Sequence, residues 1–398
     1  MTREDGRHRL GRAMGFVVLV GVVSLLADTT YEGARSVIGP YLGLLGATGA
    51  AVGFIAGVGE LSGYVVRFFS GILADRTRRY WPITIVGYCV NLLAVPLLAL
   101  AGNWPVAAAL IVTERLGKGL RVPARDAMLS HATKQIGRGW AFGIHEALDQ
   151  IGAILGPLIV AAVLFLQHPY ATAFAVLAIP AVLAILVLFL AQREYPRPRE
   201  LEPVAQSVAT KGFPRHFWLY LAAIAMVAAG FADFALIAFH FGQSGVVSPE
   251  LIPILYAVAM GVDGLASLLL GRLFDRSGFL SLIIGFGIGA LFAPFVFLGG
   301  FAAAAVGMVV WGIGLGAQES IMRAAVAEMI HPDRRASAYG VFNTGYGIAW
   351  FAGSTLMGFL YDASLLYIVG FSVVIQVVSL PLLVKLWREK AARPAAAA

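Results

Sequence analysis

A single cysteine, Cys89, in 398 residues leaves no intrachain disulfide and no Cys-rich metal site. Charge is also scarce, at 13% of the residues, where a soluble chain carries about a quarter. No Gly-x-x-x-x-Gly-Lys-Ser/Thr stretch is present, so the sequence predicts no phosphate-cradling loop and no ATP-driven pump. The basic start Met1–Arg12 and the apolar Gly15–Leu26 look like a signal peptide, but no small-residue cleavage site follows. That stretch reads as a retained first span. What fills the chain is apolar: 59% hydrophobic residues, more than one water-soluble core can hide. The sequence is that of a polytopic membrane protein, with the lipid bilayer as its surroundings. The net charge of +7 sits in the connections between apolar runs. It therefore marks orientation and predicts no nucleic-acid partner.

A span needs roughly 20 apolar residues, and about twelve runs reach that length. They cover 14–42, 48–72, 82–101, 104–128, 140–166, 170–191, 216–240, 250–272, 279–298, 303–327, 337–360 and 365–386. Such long, continuously apolar runs predict helices rather than barrel strands. Lys and Arg crowd alternate connections, including Arg76, Arg78 and Arg79, then Lys134 and Arg138, then Arg193, Arg197 and Arg199. The connections on the other side, near 43–48, 102–103, 167–169, 241–249, 299–302 and 361–364, carry none. Positive charge marks the cytoplasmic face, so both termini are expected there, in the inner or plasma membrane. The polar stretch 193–215 then reads as a cytoplasmic linker between a six-helix bundle at 1–192 and another at 216–390. Residues 391–398 read as a disordered tail. The fold class is an all-α membrane protein with twelve transmembrane helices in two pseudo-symmetric six-helix bundles.

An internal repeat supports two halves. Gly71-Ile-Leu-Ala-Asp75-Arg76-Thr-Arg78-Arg79 returns as Gly271-Arg-Leu-Phe-Asp275-Arg276-Ser-Gly278, and we read each copy as a short loop leaving the membrane. Ala27-Asp28 is echoed by Ala232-Asp233, and Ala141-Phe-Gly143 by Ala338-Tyr-Gly340. In membrane proteins long repeats of this kind suggest a transporter built from related halves.

Charges at membrane depth are costly unless paired or hydrated. Asp28, Glu32 and Arg35 share a face of the first helix, and Glu60 and Arg67 one of the second. Glu114, Lys118 and Arg121 form a stripe on the fourth, with Arg115 about 100° away. On the fifth, His145 and Asp149 share a face with Gly152 and Gly156, while Glu146 and Gln150 face elsewhere. The second half offers Asp233, His240, Asp263, Glu319 and Arg323. Acids outnumber bases among these residues, and a buried carboxylate without a cation takes up a proton. Asp28 and Glu32 are the first candidates for proton coupling, with Glu146 and Asp149 next. Tyr31, Arg35, Glu60, His145, Asp233 and Asp263 are candidates to line a substrate cavity. Structural ion pairs remain the competing account for each. His145-Glu146-Ala-Leu-Asp149 lacks the second histidine of a zinc-protease helix; no metal, cofactor or enzymatic activity is expected.

These residues resemble the major facilitator superfamily over essentially the whole chain. Gly71, Leu73, Asp75, Arg76 and Arg79 match its signature between the second and third helices; Arg78 departs where the family usually has glycine, which the second copy keeps as Gly278. Arg115 and Gly119 are similar to the proton-coupling motif of its drug/proton antiporters, with Lys118 where Gln is frequent. Gly143, Gly152 and Gly156-Pro157 are similar to the antiporter motif, with Val160-Ala161 in place of the expected double glycine. The resemblance implies that Asp75 docks on the start of the eleventh helix near Arg335–Ser337, and Asp275 on the start of the fifth. It implies gating roles for Gly71, Asp75, Arg76, Gly152, Gly156, Pro157, Gly271, Asp275 and Arg276, and that Arg115 biases the protonation of Asp28 and Glu32. The expected function is secondary active export of a small organic molecule against protons, by alternating access, in a monomer. Alternatives are proton-coupled uptake of a charged solute, transport of a cation or metal, and a sensor that moves nothing.

Overall fold

The computed structural model describes residues 3–133, 138–196, 212–330 and 335–391, without the side chains of 3–13, 75, 130–133, 138–142, 327, 335–337, 390 and 391. Among these residues the chain is helical and has no strand. In order run α1 (Arg3–Leu44), α2 (Gly49–Thr77), α3 (Tyr80–Leu97), α4 (Trp104–Thr133), α5 (Arg138–Phe165), α6 (Tyr170–Val176), α7 (Ala178–Glu194) and α8 (Arg215–Gly230). Then come α9 (Phe234–Ser244), α10 (Ile252–Ser277), α11 (Phe279–Gly289), α12 (Phe292–Leu298), α13 (Phe301–Met329), α14 (Arg335–Ala363) and α15 (Leu365–Ala391). Ten stretches among the described residues are long and apolar enough to cross a membrane; α6 with α7, α8 with α9, and α11 with α12 each make one. The other two long helices are less apolar: α4 carries Glu114, Arg115, Lys118, Arg121, Arg125 and Asp126, and α14 is rich in glycine.

Two compact units emerge. One gathers the described residues of Met1–Ile38 and Ser62–Ala205, the other those of Gly39–Leu61 and Gln206–Ala398. Helices α1 and α2 therefore each belong partly to both units. Many large apolar side chains are exposed, among them Phe69, Leu166, Ile179, Leu268, Leu269 and Phe359. In water such a surface would aggregate; against hydrocarbon it carries no penalty.

The first unit's core joins Phe16, Trp81, Tyr88, Leu92, Leu129 and Leu188. Phe16 meets Trp81 and Tyr195 edge-on, and Trp81 Nε1 donates to the Tyr195 carbonyl at 3.0 Å. Its helices approach through missing side chains. A Cβ on Gly117 would lie 2.3 Å from Asn91 N, and one on Gly156 would lie 2.2 Å from the Thr29 carbonyl oxygen. Small residues are what allow membrane helices to come this close.

The second unit is held by rings. Phe231 stacks on Trp311 at 5.5 Å and touches Phe292 and Trp350. The same unit contains a break between α8 and α9. Its open carbonyls are filled from elsewhere: Gly230 O accepts from Ser372 Oγ and Gln376 Nε2, and Ala232 O from Trp311 Nε1. Asp233 caps α9 by accepting from Ala235 N at 2.9 Å, which satisfies an amide that the helix start would otherwise leave open. Asp362, at the end of α14, accepts from Gly49 N and Ala50 N, each at 2.8 Å, and so caps α2.

The repeated stretch is not the loop that its sequence suggests. Residues 71–77 and 271–277 continue α2 and α10 as their last turns. The chain turns only at Arg78 (φ 60°) and Gly278 (φ 55°), whose amides bond back to Ala74 O and Phe274 O at 2.9 and 2.8 Å. Both copies thus end in a residue of positive φ just past the helix, where glycine is at ease and a side chain strains the backbone. The sequence departure at Arg78 falls on this position.

Candidate functional site

The charged residues of the first unit converge because α4 repeats them at helical spacing. Glu114, Lys118, Arg121 and Arg125 follow at intervals of four, three and four, so all lie along one stripe. Gly87 in α3 makes room for that stripe: a Cβ there would come within 2.7 Å of Arg121 Cβ. Arg121 is 1% exposed. Its guanidinium lies 4.3 Å from the Tyr88 ring centroid and 5.8 Å from that of Tyr31, a cation–π arrangement.

Asp28 and Glu32 on α1 face the stripe and are buried. Within 4.0 Å, Asp28 has one cation among the described residues, Arg121 Nη2 at 4.0 Å from Oδ1. That is a long contact, short of a hydrogen bond. Glu32 Oε1 lies 3.8 Å from Arg35 Nη1. Glu114 is held more firmly: Asn91 Nδ2 donates to its Oε1 at 2.6 Å, and Arg115 Nε lies 3.4 Å from Oε2. Lys118 has no carboxylate within ion-pair distance among the described residues. Its ammonium instead sits 3.9 Å from the centroid of the Tyr31 ring.

A second network lies one turn away. Arg125 Nη1 donates to Ser24 Oγ at 3.0 Å, and Ser24 Oγ lies 3.0 Å from His145 Nε2. His145 Nδ1 lies 3.3 Å from Asp149 Oδ2. With Arg125 donating to Ser24, the hydroxyl hydrogen is free to point at Nε2, which leaves Nδ1–H to donate to Asp149. Arg125 is also paired with Asp126 at 2.9 Å and lies 4.0 Å from Asp149. A carboxylate, an imidazole and a hydroxyl in series can hand a proton along.

The predicted residues divide accordingly. Asp28, Tyr31, Glu32, Arg35, Arg115, His145 and Asp149 gather in the first unit, whereas Glu146, on the same helix as Asp149, is exposed. Gly152 and Gly156 lie at the α1–α5 crossing, where added Cβ atoms would meet Leu25 O at 2.3 Å and Thr29 O at 2.2 Å; Pro157 is buried beside them. Gly71 has only Pro123 Cβ near it, at 3.7 Å, and Arg76 is exposed. The side chain of Asp75 and those of 335–337, its expected docking point, lie outside the described residues.

In the second unit Asp233 is the α9 cap, Asp263 is buried in α10, and Glu60 is half-buried in the Gly39–Leu61 segment. A Cβ added at Gly271 would meet nothing within 4 Å among the described residues outside its own helix, and Asp275 and Arg276 are exposed. The Ala-Asp echo therefore serves two ends: Asp28 faces basic side chains, whereas Asp233 caps a helix. Sequence reading passed over Ser24, Tyr88, Asn91 and Arg125. The signal for two of them was present, since Ser24 lies one turn before Asp28 and Arg125 one turn after Arg121.

A family model described as Major Facilitator Superfamily matches residues 9–354 and 234–396. A protein of Mycobacterium tuberculosis (strain ATCC 25618 / H37Rv), described as uncharacterized, is 44% identical over 360 residues, 89% of this chain and 88% of that one. A protein of Methanocaldococcus jannaschii described as an MFS-type transporter is 25% identical over 357 residues, 87% of this chain and 89% of that one. Among solved structures, the nucleoside transporter NupG matches with TM-score 0.75 at 14% identity, over 95% of this chain and 100% of its own. A bacterial homolog of the human lysosomal transporter Spinster, inward-facing and unoccupied, matches with TM-score 0.73 at 15% identity, over 97% and 99%. At such identity the likeness carries the fold alone.

Proposed function

The chain belongs to the Major Facilitator Superfamily, and from that membership we propose that it is a proton-coupled secondary transporter that exports a small organic molecule by alternating access. Twelve membrane spans in two six-helix bundles, joined by the 193–215 linker, with cytoplasmic termini in the plasma membrane of a monomer, complete the proposal. The observation that carries proton coupling is Asp28: a buried carboxylate whose one cation within 4.0 Å among the described residues is Arg121, at 4.0 Å. Charged groups facing it are Lys118 and Arg121 of α4, Asp149 of α5 and Glu32 of its own helix. A carboxylate so loosely held can exchange a proton when the path to it opens. Glu32, Asp149 and Glu146 are the other proposed carriers, and Arg115 biases the set through its contact with Glu114. The His145–Ser24 series offers the proton a route between α5 and α1.

Gating belongs to Asp75-Arg76 and Asp275-Arg276, with Gly71, Gly271, Gly152, Gly156 and Pro157 supporting them. The substrate-cavity roles of Tyr31, Arg35, Glu60, His145, Asp233 and Asp263 belong to the same proposal. A drug/proton antiporter assignment rests on the Arg115–Gly119 and Gly143–Pro157 resemblances. A second reading, proton-coupled uptake of a charged solute, is favoured by Lys118, a part-buried cation that rests on the Tyr31 ring with no carboxylate within 4.0 Å among the described residues.

The test is the purified full chain in proteoliposomes, with an imposed pH gradient and a panel of anionic, cationic and neutral solutes. Solute movement that follows the gradient and stops with a protonophore is the expected result. No gradient-dependent movement of any solute would overturn coupling. Direction of flux separates the two readings.

A further inference from the structure

We infer that the first unit recognises an anionic group on the solute, a carboxylate or phosphate, through Lys118 backed by Arg121 and Tyr31. The inference rests on the transport reading above and deepens it. It comes from an imbalance in how the charges are satisfied. Three nearby acids have closer partners: Glu32 faces Arg35, Glu114 takes a 2.6 Å hydrogen bond from Asn91, and Asp149 faces His145 at 3.3 Å, while Asp28 has Arg121 at 4.0 Å. Two cations on the α4 stripe, Lys118 and Arg121, are less closely matched. Arg121 is 99% buried, yet its Nε and Nη1 have no hydrogen-bond partner. Lys118 rests on the face of Tyr31, and among the described residues no carboxylate comes within 4.0 Å of its ammonium, although Glu32, Asp28 and Glu114 act on it from farther away.

An unfilled donor on a buried guanidinium is costly, and an ammonium on a ring retains hydrogens that can point elsewhere. A carboxylate or phosphate arriving at Lys118 would take those hydrogens as charge-assisted bonds. The positive Arg121 behind would add attraction without moving, because Tyr88 and Tyr31 clamp it. A cationic solute at Lys118 would meet the opposite: two like charges, Lys118 and Arg121. Lys118 is part-exposed on the stripe, so it makes the contact, and Arg121 acts as a positioning charge beneath it.

The experiment measures thermal stabilisation of the purified full chain by four anions (inorganic phosphate, acetate, benzoate and phenyl phosphate) against benzylamine and benzyl alcohol. At least one anion is expected to raise the melting temperature, and neither control. Lys118→Gln is expected to weaken that anion's apparent affinity by about tenfold or more, while Lys118→Arg retains it. The inference is overturned if no anion stabilises the protein, if benzylamine stabilises it instead, or if Lys118→Gln binds the anion as tightly as the parent. Should the glutamine variant fail to fold, the anion-against-amine comparison on the parent still decides. Because the readout is binding, it is independent of flux: failed coupling in proteoliposomes with intact anion binding strikes the transport reading alone.

Discussion

Asp28→Asn is expected to abolish solute accumulation driven by a pH gradient while leaving solute exchange intact. One unit of pH difference is worth about 1.4 kcal/mol per proton, enough to sustain about a tenfold solute gradient at one proton per solute. An amide accepts no proton in this range, so the gradient supported by the variant should collapse to equality inside and outside. Exchange of labelled for unlabelled solute requires no proton and should continue. The variant removes a contact of 4.0 Å rather than a hydrogen bond, so loss of fold is not the expected outcome; size-exclusion elution of the purified variant checks this. Accumulation at the parental level in a folded Asp28→Asn protein would remove Asp28 from the coupling mechanism, and the same measurement on Glu32→Gln would then decide whether its neighbour carries the proton.

Gly156→Leu is expected to have the largest effect on stability. The first carbon of any side chain at 156 would lie 2.2 Å from the Thr29 carbonyl oxygen and 2.7 Å from Gly33 N. Both obstacles are backbone, so neither can rotate away. Overpacking costs about 1–3 kcal/mol in ordinary cores and occasionally more. Here α1 and α5 must separate along their length, and a loss of about 3 kcal/mol is expected. The melting temperature of the purified variant should drop, and folded yield with it. Gly71→Leu, at a site whose nearest foreign atom is 3.7 Å away, should melt near the parent and serves as the control. Equal melting of both variants would show that the crossing is looser than described.

The fold was legible in the sequence to an unusual degree because lipid leaves few choices. A long apolar run must be a helix, since its amides have no other partner there. The breaks were not legible. Gly230 and Asp233 are a helix-stop and an N-cap residue, but in so apolar a run they do not decide for a break, because the groups that fill it, Trp311, Ser372 and Gln376, lie far along the chain. The repeated Gly71 and Gly271 stretches read as loops but are helical for a related reason: charge suggests an exit from the membrane, but a helix can leave an apolar layer and continue for two turns. At the site, spacing alone placed Asp28 with Glu32, and Lys118 with Arg121. It could not say which face met which. That Arg121 lies against Tyr88 depends on Gly87 letting α3 approach α4, a contact between helices that no periodicity within one helix reveals.

The break beside Asp233 has a mechanical consequence. An unbroken helix bends only by stretching or rupturing its own ladder of hydrogen bonds. The helix α9 starts afresh at Phe234, and one of its first amides, that of Ala235, is already tied to the Asp233 carboxylate. It can swivel against α8 by torsion of a few residues, with no ladder bond lost. Its counterpart α1 runs through Asp28 without interruption and meets its one internal proline only at Pro40, beside the point where it passes from one unit to the other. The two repeats therefore carry their joints at different places along matching helices, so a rocking motion would flex them unequally.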